Sequence, residues 1–126
     1  MKLTLNHTQR LNLCALIGAQ RNAPVEDLRL YWRLLDRLEL SSDERKDINF
    51  RLVKLDGTEQ QVPQWDIKPD TPLREFDFST DEFERLSKVV KDWQGGYGVS
   101  DRFWLEPVLA QIELNGQPAI VPSGVN

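Results

Sequence analysis

The sequence predicts one α+β domain, mainly helical. A helix-start signal recurs three times, amphipathic stretches at helical spacing follow it, and one segment alternates around Asp56-Gly57 like a β-hairpin. The expected architecture is two helix-loop-helix units joined through that hairpin. Unit one covers 3–48, the hairpin and connector 49–75, unit two 76–114 and a flexible tail 115–126.

The start signals are Leu3-Thr4-Leu5-Asn6-His7-Thr8-Gln9, Leu38-Glu39-Leu40-Ser41-Ser42-Asp43-Glu44 and Phe76-Asp77-Phe78-Ser79-Thr80-Asp81-Glu82. Each ends in Asn or Ser with Gln or Glu three positions later. This is a capping box, in which the first side chain accepts an early helix N–H and the second reaches back. Helices are therefore predicted to begin near residues 7, 42 and 80. Phe78 and Phe83 are placed to staple the third cap. The apolar pair before each cap reads as a short strand or a helix tail, with the tail favoured for Leu38 and Leu40.

The first helix is predicted from about Thr8 to Gln20, with Leu11, Leu13, Cys14, Leu16 and Ile17 inward. Asn22-Ala23-Pro24 breaks it, and Pro24 suits the entry to a helix from Val25 to Leu38. There Leu28, Tyr31, Trp32, Leu35 and Leu38 form the predicted apolar face. A short helix after Ser41 ends before Phe50. Asp56-Gly57 predicts a two-residue hairpin turn, with Thr58 to Val62 as the return strand. Gln64 to Arg74, with Pro69 and Pro72, reads as a connector and hinge. A helix from Thr80 to Trp93 follows, stopped by Gly95-Gly96-Tyr97-Gly98. The last helix is predicted from Ser100 to Leu114, with a kink or late start at Pro107. Phe50, Phe83, Leu86, Val90, Trp104, Val108 and Ile112 complete the expected core. Residues 3–40 align with 76–114 after one inserted position, which suggests an internal duplication.

Segments 76–86, Phe76-Asp77-Phe78-Ser79-Thr80-Asp81-Glu82-Phe83-Glu84-Arg85-Leu86, and 101–111, Asp101-Arg102-Phe103-Trp104-Leu105-Glu106-Pro107-Val108-Leu109-Ala110-Gln111, resemble stretches of small uncharacterised proteins encoded by tailed phages and prophages. The likeness spans the two units and not the tail. It implies an accessory, assembly or host-interaction protein and assigns no site residues.

The 126 residues, 40% hydrophobic and 29% charged, suit one core. One cysteine precludes an internal disulfide, and the N-terminal residues do not read as a signal peptide. A cytoplasmic or host-interior location is expected. Net charge is −4, but residues 1–37 carry six Lys/Arg against three Asp/Glu. This bipolar pattern suits a charged partner face.

His7, the only histidine, is expected on the surface after its cap, and Cys14 as a buried structural thiol. One His and one Cys do not make the usual zinc site, and no cofactor is expected. The glycine run lacks a P-loop ending and follows a helix. Trp32, Trp93 and Trp104 are assigned to the core. Trp65, in the connector, is either an exposed interface anchor or a cap folded onto the hairpin. With Asp43, Glu44, Asp47, Asp81 and Glu84 it makes up the candidate protein interface. Arg29, Arg33 and Arg37 form a candidate nucleic-acid stripe, joined by Lys2, Arg10 and Arg21 on one basic face; the competing reading ties the stripe to Glu26 and Asp36 in local ion pairs. The leading expectation is a non-catalytic protein-interaction module. Nucleic-acid binding and a carboxylate-only enzyme are the alternatives, and self-association is left open.

Overall fold

The computed structural model describes residues 1–67 and 72–116. Its elements are β1 (Lys2–Leu5), α1 (His7–Gly18), α2 (Val25–Leu38), α3 (Ser42–Asp47), β2 (Arg51–Lys54), β3 (Gln61–Gln64), β4 (Arg74–Asp77), α4 (Thr80–Lys91), a 3-10 turn (Val99–Asp101) and α5 (Arg102–Gly116). The chain is thus an α+β domain, mainly helical, with two small antiparallel sheets.

All three capping boxes form. Asn6, Ser41 and Ser79 each accept from the N–H three residues on, and Gln9, Glu44 and Glu82 reach back. The apolar pairs before the first and third caps are strands, and β1 pairs antiparallel with β4 with Leu3 opposite Phe76. Alternation turns Leu3, Leu5, Phe76 and Phe78 into the core, while Lys2, Glu75 and Asp77 stay exposed. Both predicted units therefore open with a strand: β1-α1-α2-α3 in unit one and β4-α4-α5 in unit two. Helices α1 and α4 pack together, α2 lies against both, and α5 packs on β1 and α1. Of the expected core, Leu13, Leu16, Ile17, Tyr31, Leu38, Phe83, Leu86, Val90, Trp104, Val108 and Ile112 are buried. Leu11, Cys14, Leu28, Leu35 and Phe50 are only partly buried.

The outer edge of β1 is closed by a side chain. Gln111 of α5 accepts from the Thr4 N–H at 2.6 Å and donates to the Thr4 carbonyl at 2.9 Å. Its amide stands where a third strand would pair. On the outer edge of β4, Arg37 of α2 donates to the Asp77 carbonyl.

The hairpin differs from expectation. Its strands pair Arg51 with Gln64 and Lys54 with Gln61, so the turn is wider than two residues. The Thr58 N–H donates to Leu55 O, and the Leu55 N–H to Gln60 O. Gly57 has φ +77°, but Asp56 is not at positive φ, so the type I′ geometry of a two-residue turn is not adopted. Pro63 sits within β3 opposite Leu52, one position away from the hydrogen-bonded Val53–Val62 pair, where its missing N–H costs no ladder bond. Helix α3 ends on Asn49 at φ 52°, a left-handed cap.

Helix α5 passes through Pro107 without a late start, beginning from the 3-10 turn. Asn115 and Gly116 belong to it, so the tail begins later than expected; the rest of the tail lies outside the described residues, as does Pro69 of the connector. Helix α4 ends at Lys91 with Asp92 as its cap, before the glycine run rather than at it. Gly96 then takes φ +73°, and the Tyr97 hydroxyl donates to Val90 O at 2.7 Å.

Candidate functional site

Helix α3, the last element of unit one, and the hairpin dock on α1 and the end of α2. Trp65 stacks on Phe50 with ring centroids 6.4 Å apart and planes 19° apart. Its indole N–H donates to Thr8 Oγ1 at 3.3 Å. Of the two expectations for Trp65, the folded-back one describes its ring, which remains half-buried. Phe50, Pro63 and Trp65 face Leu11, Cys14 and Leu35 across an apolar cleft of about 300 Å³. Glu39 and Arg45 also line it. Leu52, cross-strand from Pro63, is 59% exposed beside it.

Beneath this docked segment lies a buried charge cluster. Arg10 is only 1% exposed. Its Nε donates to Leu38 O at 3.0 Å, Nη2 to Glu39 O at 2.7 Å and Nη1 to Glu44 Oε2 at 2.5 Å. One guanidinium thus satisfies the open carbonyl end of α2 and holds the start of α3. It also lies over the Phe76 ring, 5.2 Å from the centroid. The expected basic face loses Arg10, because a tertiary partner set draws it inward. His7 likewise departs from expectation. It is 2% exposed, with Nε2 3.5 Å from Glu44 Oε2 and no hydrogen-bond partner for Nδ1. Position after the cap does not expose it, because α3 covers that turn.

Burial would raise the Glu44 pKa, but hydrogen bonds from Arg10 and Ser41 outweigh it and hold the carboxyl at about 2. A lowered folded-state pKa stabilises the fold fully above the unfolded value of 4.5. That stabilisation is lost as pH falls from 4.5 toward 2, because the unfolded chain then binds more protons. Acid titration of the unfolding free energy should show this loss, and Glu44→Gln should flatten it. An unchanged acid limb in that variant would remove Glu44 from the account.

The Cys14 thiol is pushed up to about 11, by burial first and the Glu39 charge second, against Arg10 and Arg45. It stays protonated near neutral pH. It also sits seven residues from His7 on one helix, about 10 Å along the axis, too far for a thiol–imidazole pair.

The other candidates are redistributed. Asp43 and Asp47 lie exposed on α3, while Glu44 is occupied by its cap and by Arg10. Asp81 and Glu84 line a different groove, between α2 and α4, with Glu26, Arg33 and Lys88. The acidic candidates therefore do not form one face, and two of them share a groove with Arg33 of the arginine stripe. Arg37 leaves that stripe: it pairs with Glu82 at 3.1 Å and lies 4.8 Å over the Phe78 ring. The local partners Glu26 and Asp36 are not the ones used. Trp104 is core and Trp93 half-buried, but Trp32 is 55% exposed. The core side of α2 is Tyr31, Leu34 and Leu38, and Leu34 lies about 200° around the helix from Trp32.

Comparison with protein-family models, curated proteins and solved structures yields no match. Among the described residues, no helix is long and apolar enough to cross a membrane, and no group of three or more His, Cys, Asp and Glu side chains is placed to hold a metal ion.

Proposed function

We propose that the chain is a non-catalytic protein-interaction module, of the accessory or host-interaction kind that the phage-protein resemblance implies, and that the cleft beneath the hairpin receives its partner. The observation that carries this reading is the apolar wall of Trp65, Phe50, Pro63, Leu11 and Leu35, left open beside exposed Leu52. Aromatic anchors in apolar pockets supply most of the energy at protein interfaces. A cleft of about 300 Å³ suits one or two apolar side chains from a partner segment.

We also propose that β1-α1-α2 and β4-α4-α5 are duplicated units. Leu3 and Phe76, equivalent in the sequence alignment, face each other in the sheet. Arg37 and Gln111, also equivalent, each bond the other unit's strand at equivalent carbonyls, Asp77 and Thr4. Where α1 carries Leu11, Cys14 and Ala15, α4 carries Glu84, Ser87 and Lys88. The cleft thus occupies a place where the two units differ, which favours it as the acquired site.

The test is a tagged pull-down from native-host lysate, with and without nuclease, using wild type, Trp65→Ala and Leu52→Glu. The cleft reading expects a nuclease-resistant protein partner whose affinity falls about tenfold or more in both variants. Leu52 is exposed, so its substitution leaves the fold intact. Retention by both variants at wild-type affinity overturns the assignment. Loss of all partners on nuclease treatment, with a steep salt dependence, favours nucleic acid instead.

A further inference from the structure

Helix α2 turns an unused face to solvent. Val25, Arg29, Trp32 and Asp36 follow one another at spacings of four, three and four, and all are exposed. This spacing sets the four side chains along one face of the helix, apolar Val25 and Trp32 alternating with charged Arg29 and Asp36. Arg33 borders it. Among the described residues, Arg29, Arg33 and Asp36 make no ion pair, and the Trp32 indole makes no ring contact or hydrogen bond. Arg33 and Asp36 stand unpaired although three residues separate them, a spacing that permits pairing within a helix.

We infer that this face joins two copies of the chain through an antiparallel α2–α2 contact, beyond the partner cleft proposed above. Charge complementarity selects a second copy as the occupant. When two α2 helices run antiparallel about a twofold axis between Trp32 and Arg33, Arg29 of each copy meets Asp36 of the other. Trp32 of each copy then lies against Arg33 of the other. One ion pair and one cation–π contact form, each repeated once by the symmetry. The partners missing within one chain are supplied by its own sequence read in reverse. Like charges meet only at the ends, where Glu26 faces Glu39. An acidic strand such as nucleic acid would find Arg29 and Arg33 but would also meet Glu26 and Asp36, so the mixed pattern favours self-pairing.

The geometry sets a reciprocal test by sedimentation on the full chain, with circular dichroism as the fold control. Wild type should show a monomer–dimer equilibrium. Arg29→Asp sets two carboxylates against each other across the axis, and Asp36→Arg sets two guanidinium groups against each other, so each variant alone should be monomeric. When the two variants are mixed, one brings a carboxylate at both positions and the other a guanidinium at both. Every contact between unlike copies is then an opposite-charge pair, and the dimer should return. Trp32→Ala should weaken the wild-type dimer about tenfold or more. A wild type monomeric up to millimolar concentration overturns the inference. So does a mixture that stays monomeric, or single variants that still dimerise. These residues lie outside the hairpin cleft, so loss of the dimer with the lysate partner retained separates this inference from the proposed function.

Discussion

Arg10→Met is expected to destabilise the protein by about 3–5 kcal/mol, the usual consequence of removing one partner from a buried, hydrogen-bonded charge pair. Methionine fills much of the same space, so the effect is not mainly a cavity. What is lost is a fork of donors to Leu38 O, Glu39 O and Glu44. Two carbonyls and a carboxylate are then left facing an apolar side chain. Arg10→Lys should recover little, because one ammonium cannot span three separate acceptors. Adding Glu44→Gln to Arg10→Met should recover part of the loss, since the two residues form one network. Urea unfolding at constant m-value measures all three variants. A loss under about 1 kcal/mol for Arg10→Met would mean that water replaces the guanidinium and that the cluster does not lock α1 to α3.

Gln111→Leu should cost about 2–6 kcal/mol, from two backbone groups of Thr4 left unpaired at about 1–3 kcal/mol each. The side-chain amide occupies the place of a neighbouring strand on β1. Its loss also opens a strand edge, so concentration-dependent association should follow. Gln111→Glu keeps the acceptor and loses the donor, and should fall between wild type and Gln111→Leu. Hydrogen exchange at the Thr4 amide reports the effect directly, and exchange as slow as in wild type would refute the edge-closing role.

Much of the secondary structure was legible because its causes lie within four residues. Each capping box joins positions three apart, and no distant partner is needed to form it. The hairpin was legible from alternation and Asp56-Gly57, but its turn was not, because the Thr58 and Gln60 bonds that shape the loop are set by local detail finer than residue type. The candidate site was legible only in Trp65. Its stacking partner Phe50 and the facing Leu11 were read as core, and the α1–hairpin cleft between them exists only once α3 and the hairpin dock.

Arg10 carries a periodic signal for burial that its charge opposes. It precedes Leu13 and Ile17 by three and seven residues, so periodicity places it on the buried stripe of α1. Its charge argued for the surface, and three acceptors on other elements decided otherwise. The arginine stripe on α2 shows the converse. Residues four apart drift by about 40° per step around a helix, so Arg29 faces water while Arg37 reaches the core edge and Glu82.

By itself, then, the sequence determined where helices start, that α2 is amphipathic and that the middle segment forms a hairpin, because capping and periodicity act over one or two turns. Tertiary structure alone decided that Leu34 rather than Trp32 is buried, that His7 lies inside, and that β1 pairs with β4. Burial depends on which element covers a face, and that is settled by contacts between residues far apart in the chain.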